Sequence, residues 1–408
     1  MFEISKKSKS IEGALNISGS KSESNRLLAL RAFTYYFEIK NISDSDDVKV
    51  MMSAINSSEE EIDIGHAGTA MRFLTSYFSS IENSSVILTG SKRMKERPIS
   101  ILVDALRELG VDISYLDNEG YPPIKINGRV INKKQVHLPA NVSSQYISSL
   151  MMLGVSLQNG LVINLSTEIT SLPYIEMTKK IIERIGGNVK LKSNQIFINS
   201  LSNNKIPSQV VESDWSSASY FYSIVALSDL SNLTLNTYYK NSIQGDFELV
   251  HIYRDLGVKT TFINNGIHLT KSDRKTKKKI SLDLSNNPDL AQTIVVTCLG
   301  LGIDCDLYGL KTLKIKETDR LKALRSEIQK FEVDKIEITD NSLHLENKSK
   351  LKSNISIDTY DDHRMAMSFV PLSMLNPIII NDPMVVTKSY VSFWDHLEEL
   401  GFEISKNK

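Results

Sequence analysis

Cysteine occurs only twice in 408 residues, at Cys298 and Cys305, both in one apolar stretch. Two thiols are too few for a disulfide framework and lack zinc-site spacing, so they read as small buried hydrophobes in a reducing compartment. Excess charge of either sign is missing too, since 48 Lys plus Arg balance 48 Asp plus Glu. A chain without a net field is not built to coat nucleic acid or anionic lipid, and any charged site must be local. The longest apolar run, around 294–303, is about half of what a bilayer span needs. The opening MFEISKKSKSIEG holds no apolar signal core. Pro-rich and Gly/Ser-rich linkers are absent, so composition places no domain boundary. Neither a P-loop nor a GxGxxG after a strand occurs, which leaves nucleotide binding without a specific signal. Seven histidines without HxH, HExxH or Cys/His spacing argue against a catalytic metal, and no cofactor is expected. What is there, 41% hydrophobic and 24% charged residues, suits a soluble, cytoplasmic globular chain of two or three domains.

A pattern recurs along this chain: an amphipathic helix, a Leu-Gly or Ile-Gly stop, then a β-branched strand. Its copies are ILVDALRELGVDISYL (101–116), YIEMTKKIIERIGGNVKLK (174–192), FELVHIYRDLGVKTTFI (247–263), DRLKALRSEIQKFEVDKIEI (319–338) and VSFWDHLEELGFEIS (391–405). The stops Gly110, Gly186, Gly257 and Gly401 lie 76, 71 and 144 residues apart, the last gap spanning the glycine-free fourth copy. A glycine there supplies a left-handed residue after the helix, and the Val, Ile and Thr that follow favour a sheet. A sixth helix, DVKVMMSAI (47–55), runs straight into NSSEEEID and reads as a unit cut short. Six units in about 400 residues predict two domains of three units, each unit laying helices on one face of a mixed sheet.

Polar clusters fall at helix starts. GSKSESNR, GHAGTAMR, VSSQ, SLPY, DWSSAS, NPDLAQT, KIKETDR and DDHR each precede or open a helix. Unpaired N–H groups and the helix dipole make such starts receptive to phosphate or carboxylate. The cations Lys21, Arg26, Arg72, Arg97, Lys316, Arg320, Arg364 and Lys388 are too many for one monophosphate and suit small substrates that together carry several anionic groups. KETDR puts Lys316 and Arg320 at i and i+4, predicting a shared helix face with Glu317 one residue round. RMKERPI and DDHR are further acid and base combinations, with His363 read as a structural donor.

In this order, GSKSESNR (19–26), DSDDV (44–48), AGTAMR (67–72), LTGSKRMKERPI (88–99), VSSQ (142–145), SLPYI (171–175), PDLAQT (288–293), KETDRL (316–321), DDHRMAM (361–367) and Lys388 resemble the 3-phosphoshikimate 1-carboxyvinyltransferase (EPSP synthase) family. The resemblance implies an α/β (α+β) fold of two similar domains, each of three βαβαββ repeats, the enolpyruvyl transferase inside-out barrel. It implies one domain over 20–211 and a second combining 1–19 with 212–408, with the site in the cleft between them. The implied reaction moves the enolpyruvyl group of phosphoenolpyruvate to the 5-hydroxyl of shikimate 3-phosphate and releases phosphate, in a monomer that needs no metal. By that resemblance Lys21, Ser22, Arg26, Ser143, Ser144, Gln145, Ser171, Asp289 and Lys316 hold shikimate 3-phosphate. Lys21, Gly68, Arg97, Gln145, Arg320, Arg364 and Lys388 hold phosphoenolpyruvate. Asp289 is the implied base for the 5-hydroxyl, Glu317 handles the enol methylene proton, and Lys21 assists as acid. The chain departs from the family pattern at His66, Phe73, Leu172 and Thr312, which bears on the phosphoenolpyruvate pocket.

Two rivals fit parts of this reading. A UDP-N-acetylglucosamine enolpyruvyl transferase usually carries a reactive Cys in the loop matching TGSKRMKERPI, and none is there. A non-catalytic metabolite binder would need the cations but not Asp289 and Glu317. Closure of the two implied domains on anionic ligands is expected to compact the protein when shikimate 3-phosphate binds. Small-angle scattering at saturating ligand should show a smaller radius of gyration, and an unchanged curve counts against closure.

Overall fold

The computed structural model describes residues 1–139, 143–167, 172–202, 205–272, 277–347 and 351–406. The chain divides into two compact units, Gly19–Val211 and the combination of Met1–Ser18 with Glu212–Lys408.

In Gly19–Val211, one sheet has the spatial order Glu61–Asp63, Ser85–Thr89, Ile124–Asn127, Asp112–Tyr115. Its first two strands are parallel and the others antiparallel to their neighbours. Parallel neighbours need a crossover, and the helix Gly68–Ser79 supplies it; the helix Ser100–Glu108 then leads into the closing hairpin. A second sheet, Gln135–Leu138, Leu161–Leu165, Gln195–Ile198, Val189–Lys192, repeats this path with the helices Ser144–Ser156 and Leu172–Arg184. The third, among the described residues, is the parallel pair Gln209–Val210 with Ile39–Lys40. Its helix Asp46–Ile55 passes directly to Glu61–Asp63 of the next sheet, which is how the short sixth copy in the sequence is realised.

Among the described residues the other unit contains three sheets of the same path, and two of them take a strand from the N-terminus. Ser10–Leu15 runs parallel to Leu230–Asn236, and Phe2–Ser5 lies antiparallel between Ile378–Ile380 and Glu403–Lys406. The third is Lys279–Asp283, Asp304–Tyr308, Ser342–Glu346, Lys335–Ile338. Strands such as Gln135–Leu138 alternate exposed and buried residues, so one sheet face meets water and the other meets helices.

The first helix of each repeat is buried nearly all round, with polar residues such as Ser24, Asn25 and Arg26 of Lys21–Phe33 buried along with the apolar ones. Lys21–Phe33, Gly68–Ser79 and Ser144–Ser156 pack on one another in the first unit. In the second, Ala291–Leu301 packs against both Trp215–Leu227 and His363–Phe369. Hydroxyls bridge these faces, as in Ser149 Oγ to Ser76 Oγ (2.7 Å) and Thr297 Oγ1 to Ser223 Oγ (2.7 Å). No helix among the described residues is long and apolar enough to cross a membrane.

Each of the five sequence copies is a helix followed by a strand. Gly110, Gly186, Gly257 and Gly401 have φ of 99°, 91°, 88° and 79°, and in the glycine-free copy Glu332 takes the left-handed conformation at φ 56°. Left-handed backbone costs an L-residue about 1 kcal/mol. A Cβ at Gly110 would meet no atom within 4 Å, so Gly110→Ala isolates that backbone term. Thermal or urea unfolding should show Gly110→Ala destabilised by about 1 kcal/mol and Glu332→Gly stabilised by a similar amount.

Candidate active site

In the unit formed by 1–18 and 212–408, four helix starts bring charged groups together. Each start is fixed locally. Asp214 caps Trp215–Leu227 by accepting from Ser217 N (2.7 Å), Asp319 caps Arg320–Gln329 from Lys322 N (3.3 Å), and Asp362 caps His363–Phe369 from Arg364 N (2.8 Å). Pro288, suited to a first turn, opens the 3-10 turn Pro288–Leu290 that runs into Ala291–Leu301.

Asp289 lies at the centre of this set and is 7% exposed. Its Oδ1 accepts from Arg320 Nη1 (2.7 Å) and lies 3.4 Å from Lys316 Nζ; its Oδ2 lies 3.5 Å from Arg364 Nη2. Arg364 Nη1 also donates to the Asp289 carbonyl at 3.3 Å. Arg320, almost fully buried, turns its Nε to Asp362 Oδ2 (2.6 Å) and its Nη2 to Glu317 Oε2 (2.9 Å). Burial alone would push the Asp289 carboxyl up, but Lys316, Arg364 and Arg320 outweigh it and hold the group far below the usual carboxylate range. Burial likewise opposes charge on Arg320, yet Asp362, Glu317 and Asp289 keep it firmly protonated. Nearby Asp246 behaves oppositely: burial, aided by the Asp289 charge and opposed by Arg364, pushes it up to about 6. Lys388 Nζ donates to the carbonyl of Asp361 (2.6 Å).

One expectation needs correction. Lys316 and Arg320 do not share a helix face, because Asp319 caps the helix and Lys316 and Glu317 precede it. Asp289 unites them instead, since both cations reach its Oδ1.

In Gly19–Val211, the helix Lys21–Phe33 starts with Lys21, whose Nζ pairs with Asp47 Oδ2 at 3.0 Å, and Ser22, whose carbonyl accepts from Arg26 Nη1 at 2.8 Å. Arg26 is buried, with Nε on Thr178 Oγ1 (2.7 Å) and Nη2 on Ser148 Oγ (3.3 Å). Its guanidinium lies 5.5 Å from the Phe73 ring centroid and 5.6 Å from that of Tyr174. Phe73 thus serves as a stacking surface for Arg26. Burial pushes Arg26 down to about 10, partly offset by Tyr174 and Glu23, so it stays charged at neutral pH. Arg72 donates to the carbonyls of Gly68 and Pro98, both at 3.1 Å. A Cβ at Gly68 would fall 2.4 Å from Arg97 Nη1, so the bare backbone there lets Arg97 approach. Gln145 Nε2 donates to Thr69 Oγ1 (3.2 Å), and Ser143 caps its helix by accepting from Gln145 N (3.3 Å), with Ser144 buried beside it.

In Gly19–Val211, Lys21, Ser22 and Arg26 share one helix, Gly68 lies beside Arg97, and Thr69 joins Gln145; in the other unit Lys316, Arg320 and Arg364 gather around the Asp289 carboxylate, with Glu317 on Arg320. Ser171 lies outside the described residues. Of RMKERPI, Arg93 pairs with Glu96 (3.1 Å) at the surface and only Arg97 turns to Gly68. Among the described residues no group of three or more His, Cys, Asp or Glu could hold a metal ion. Sequence reading missed Asp47, Ser216, Asp246 and Asp362 as partners of the cations. Asp47 and Asp362 stand inside quoted motifs, whereas Asp246 gave no signal because its partners lie 30 and more residues away.

These gathered cations and carboxylates carry the motifs of one family, and comparison with known proteins agrees. The family model for EPSP synthase (3-phosphoshikimate 1-carboxyvinyltransferase) matches residues 54–397. A 3-phosphoshikimate 1-carboxyvinyltransferase of Bacteroides fragilis is 43% identical over 97% of this chain and 96% of its own length. One of Photobacterium profundum is 33% identical over 96% and 97%. Among solved structures, an EPSP synthase from Acinetobacter baumannii superposes with a TM-score of 0.79 at 20% identity, covering 99% of both chains, which shows the shared mixed α/β fold. With a family model over most of its length and close relatives over nearly all of it, the chain belongs to the EPSP synthase family.

Proposed function

We propose that this chain transfers the enolpyruvyl group of phosphoenolpyruvate to the 5-hydroxyl of shikimate 3-phosphate, releasing inorganic phosphate, the step that its relatives' name describes. The observation that carries the reading is the buried Asp289 carboxylate in reach of Lys316, Arg320 and Arg364. The two substrates bring two phosphates and two carboxylates, whose mutual repulsion only a surplus of fixed cations can offset. Lys21, Ser22, Arg26, Ser143, Ser144, Gln145, Ser171 and Lys316 are assigned to shikimate 3-phosphate. Lys21, Gly68, Arg97, Gln145, Arg320, Arg364 and Lys388 are assigned to phosphoenolpyruvate.

In the first step the 5-hydroxyl oxygen bonds to C2 of phosphoenolpyruvate, Asp289 takes the hydroxyl proton, and Glu317, assisted by Lys21, delivers a proton to C3. In the second step C3 returns its proton to Glu317, the bond from C2 to the phosphate oxygen breaks, and the departing phosphate carries away the proton that Asp289 took. Asp289 is ionised throughout the working pH range, which a base requires. Its basicity is held down by Lys316, Arg364 and Arg320, and an incoming phosphate or carboxylate that draws these cations toward itself raises it.

A phosphate-release assay tests the reading. Turnover is expected with phosphoenolpyruvate plus shikimate 3-phosphate; turnover only with UDP-N-acetylglucosamine, or binding without release, overturns it. Asp289→Ala should lower kcat by about 10²- to 10⁴-fold while calorimetry still detects both substrates. Near-normal turnover in that variant removes the base role from Asp289 and leaves family membership untouched.

A further inference from the structure

Arg364 is gripped from two sides. On one side its Nη1 donates to the Asp289 carbonyl (3.3 Å). On the other its Nη2 donates to Ser216 Oγ (3.2 Å), and the Ser216 hydroxyl donates in turn to Asp246 Oδ2. This directional chain, guanidinium to hydroxyl to carboxylate, joins three elements distant in sequence: the start of His363–Phe369, the first turn of Trp215–Leu227, and the 3-10 turn Gly245–Glu248. Its far end is braced. Gln244 Oε1 accepts from Trp215 N (3.0 Å), Gln244 Nε2 donates to the Ser213 carbonyl (2.9 Å), and Asn287 Nδ2 donates to the Gly245 carbonyl. Asp246 is buried, and burying a carboxylate that only packs is costly, so its orientation toward Ser216 calls for a purpose.

We propose that Ser216 and Asp246 are positioning residues that fix the Arg364 guanidinium for phosphoenolpyruvate. This deepens the transferase reading and rests on it. With its hydrogen committed to Asp246, the Ser216 oxygen keeps a lone pair aimed at Nη2. Arg364 is thereby held off a closer embrace of the Asp289 carboxylate only 3.5 Å away, which would spend the charge meant for substrate. An arginine already held in place loses less freedom when its anion arrives, so the chain acts on phosphoenolpyruvate binding rather than on the chemical step.

Steady-state kinetics on Ser216→Ala, Ser216→Thr, Asp246→Ala, Asp246→Asn and the double variant S216A/D246A test this, with thermal unfolding as the check on folding. Ser216→Ala should raise the phosphoenolpyruvate KM about tenfold, leaving kcat and the shikimate 3-phosphate KM within about twofold. Ser216→Thr, which keeps the hydroxyl, and Asp246→Asn, which keeps an acceptor, should stay near wild type. Asp246→Ala should resemble Ser216→Ala, and the double variant should be no worse than either, because one chain is cut once or twice. Wild-type turnover with an unchanged phosphoenolpyruvate KM in Ser216→Ala overturns the proposal alone, as do additive effects or a loss spread equally over both substrates. No wild-type turnover overturns the transferase reading and the proposal with it.

Discussion

A carboxylate taken out of water costs several kcal/mol unless cations meet it, and Asp289 meets three. Those cations have the same difficulty in reverse, which Glu317 and Asp362 relieve through Arg320. Charges this close are tolerable only at fixed positions. The capping residues Asp319 and Asp362 and the turn at Pro288 are thus more than helix punctuation: each sets the position of a charged group to within a hydrogen-bond length. A shift of one helix start by a single residue would carry its side chain round by about 100° and leave a buried charge without its partner.

The unit Gly19–Val211 accommodates its arginines differently. Arg26 and Arg72 contact hydroxyls, carbonyls and rings rather than being paired off with carboxylates. Such partners solvate a guanidinium without cancelling its charge, so the positive potential survives burial. Arg72 is pushed down to about 10 by burial and by its neighbour Arg97, and remains protonated at neutral pH. The same helical scaffold therefore supports two electrostatic designs, one balanced by internal anions and one left positive.

Much of this was legible in the sequence. The helix, glycine stop and strand repeat located five helix-strand pairs and the short sixth unit, because a positive φ and an amphipathic period leave local marks. The cations around Asp289 were each visible at a helix start. Their mutual arrangement was not. The sequence spacing of Lys316 and Arg320 suggested a shared face, yet the Asp319 cap ends that possibility, and their common partner stands 27 residues upstream of Lys316. Asp246 left no mark at all, and Ser216 showed only as part of the DWSSAS helix start, since a hydrogen bond between two ordinary polar residues 30 positions apart has neither period nor composition. The cation contact of Phe73 was equally hidden: the sequence marked it as a departure from the family pattern after AGTAMR, with nothing pointing to Arg26.

The placement of the first fifteen residues orders the events of synthesis. Gly19–Val211 is continuous and has all of its strands once residue 211 has left the ribosome. Phe2–Ser5, by contrast, is made first and finds its neighbours Ile378–Ile380 and Glu403–Lys406 last. At about 5–20 residues per second, that strand waits on the order of 20 to 80 seconds with both edges open. Lys6, Lys7 and Lys9 between it and Ser10–Leu15 put like charges beside those edges, a guard against pairing with another nascent chain during the wait.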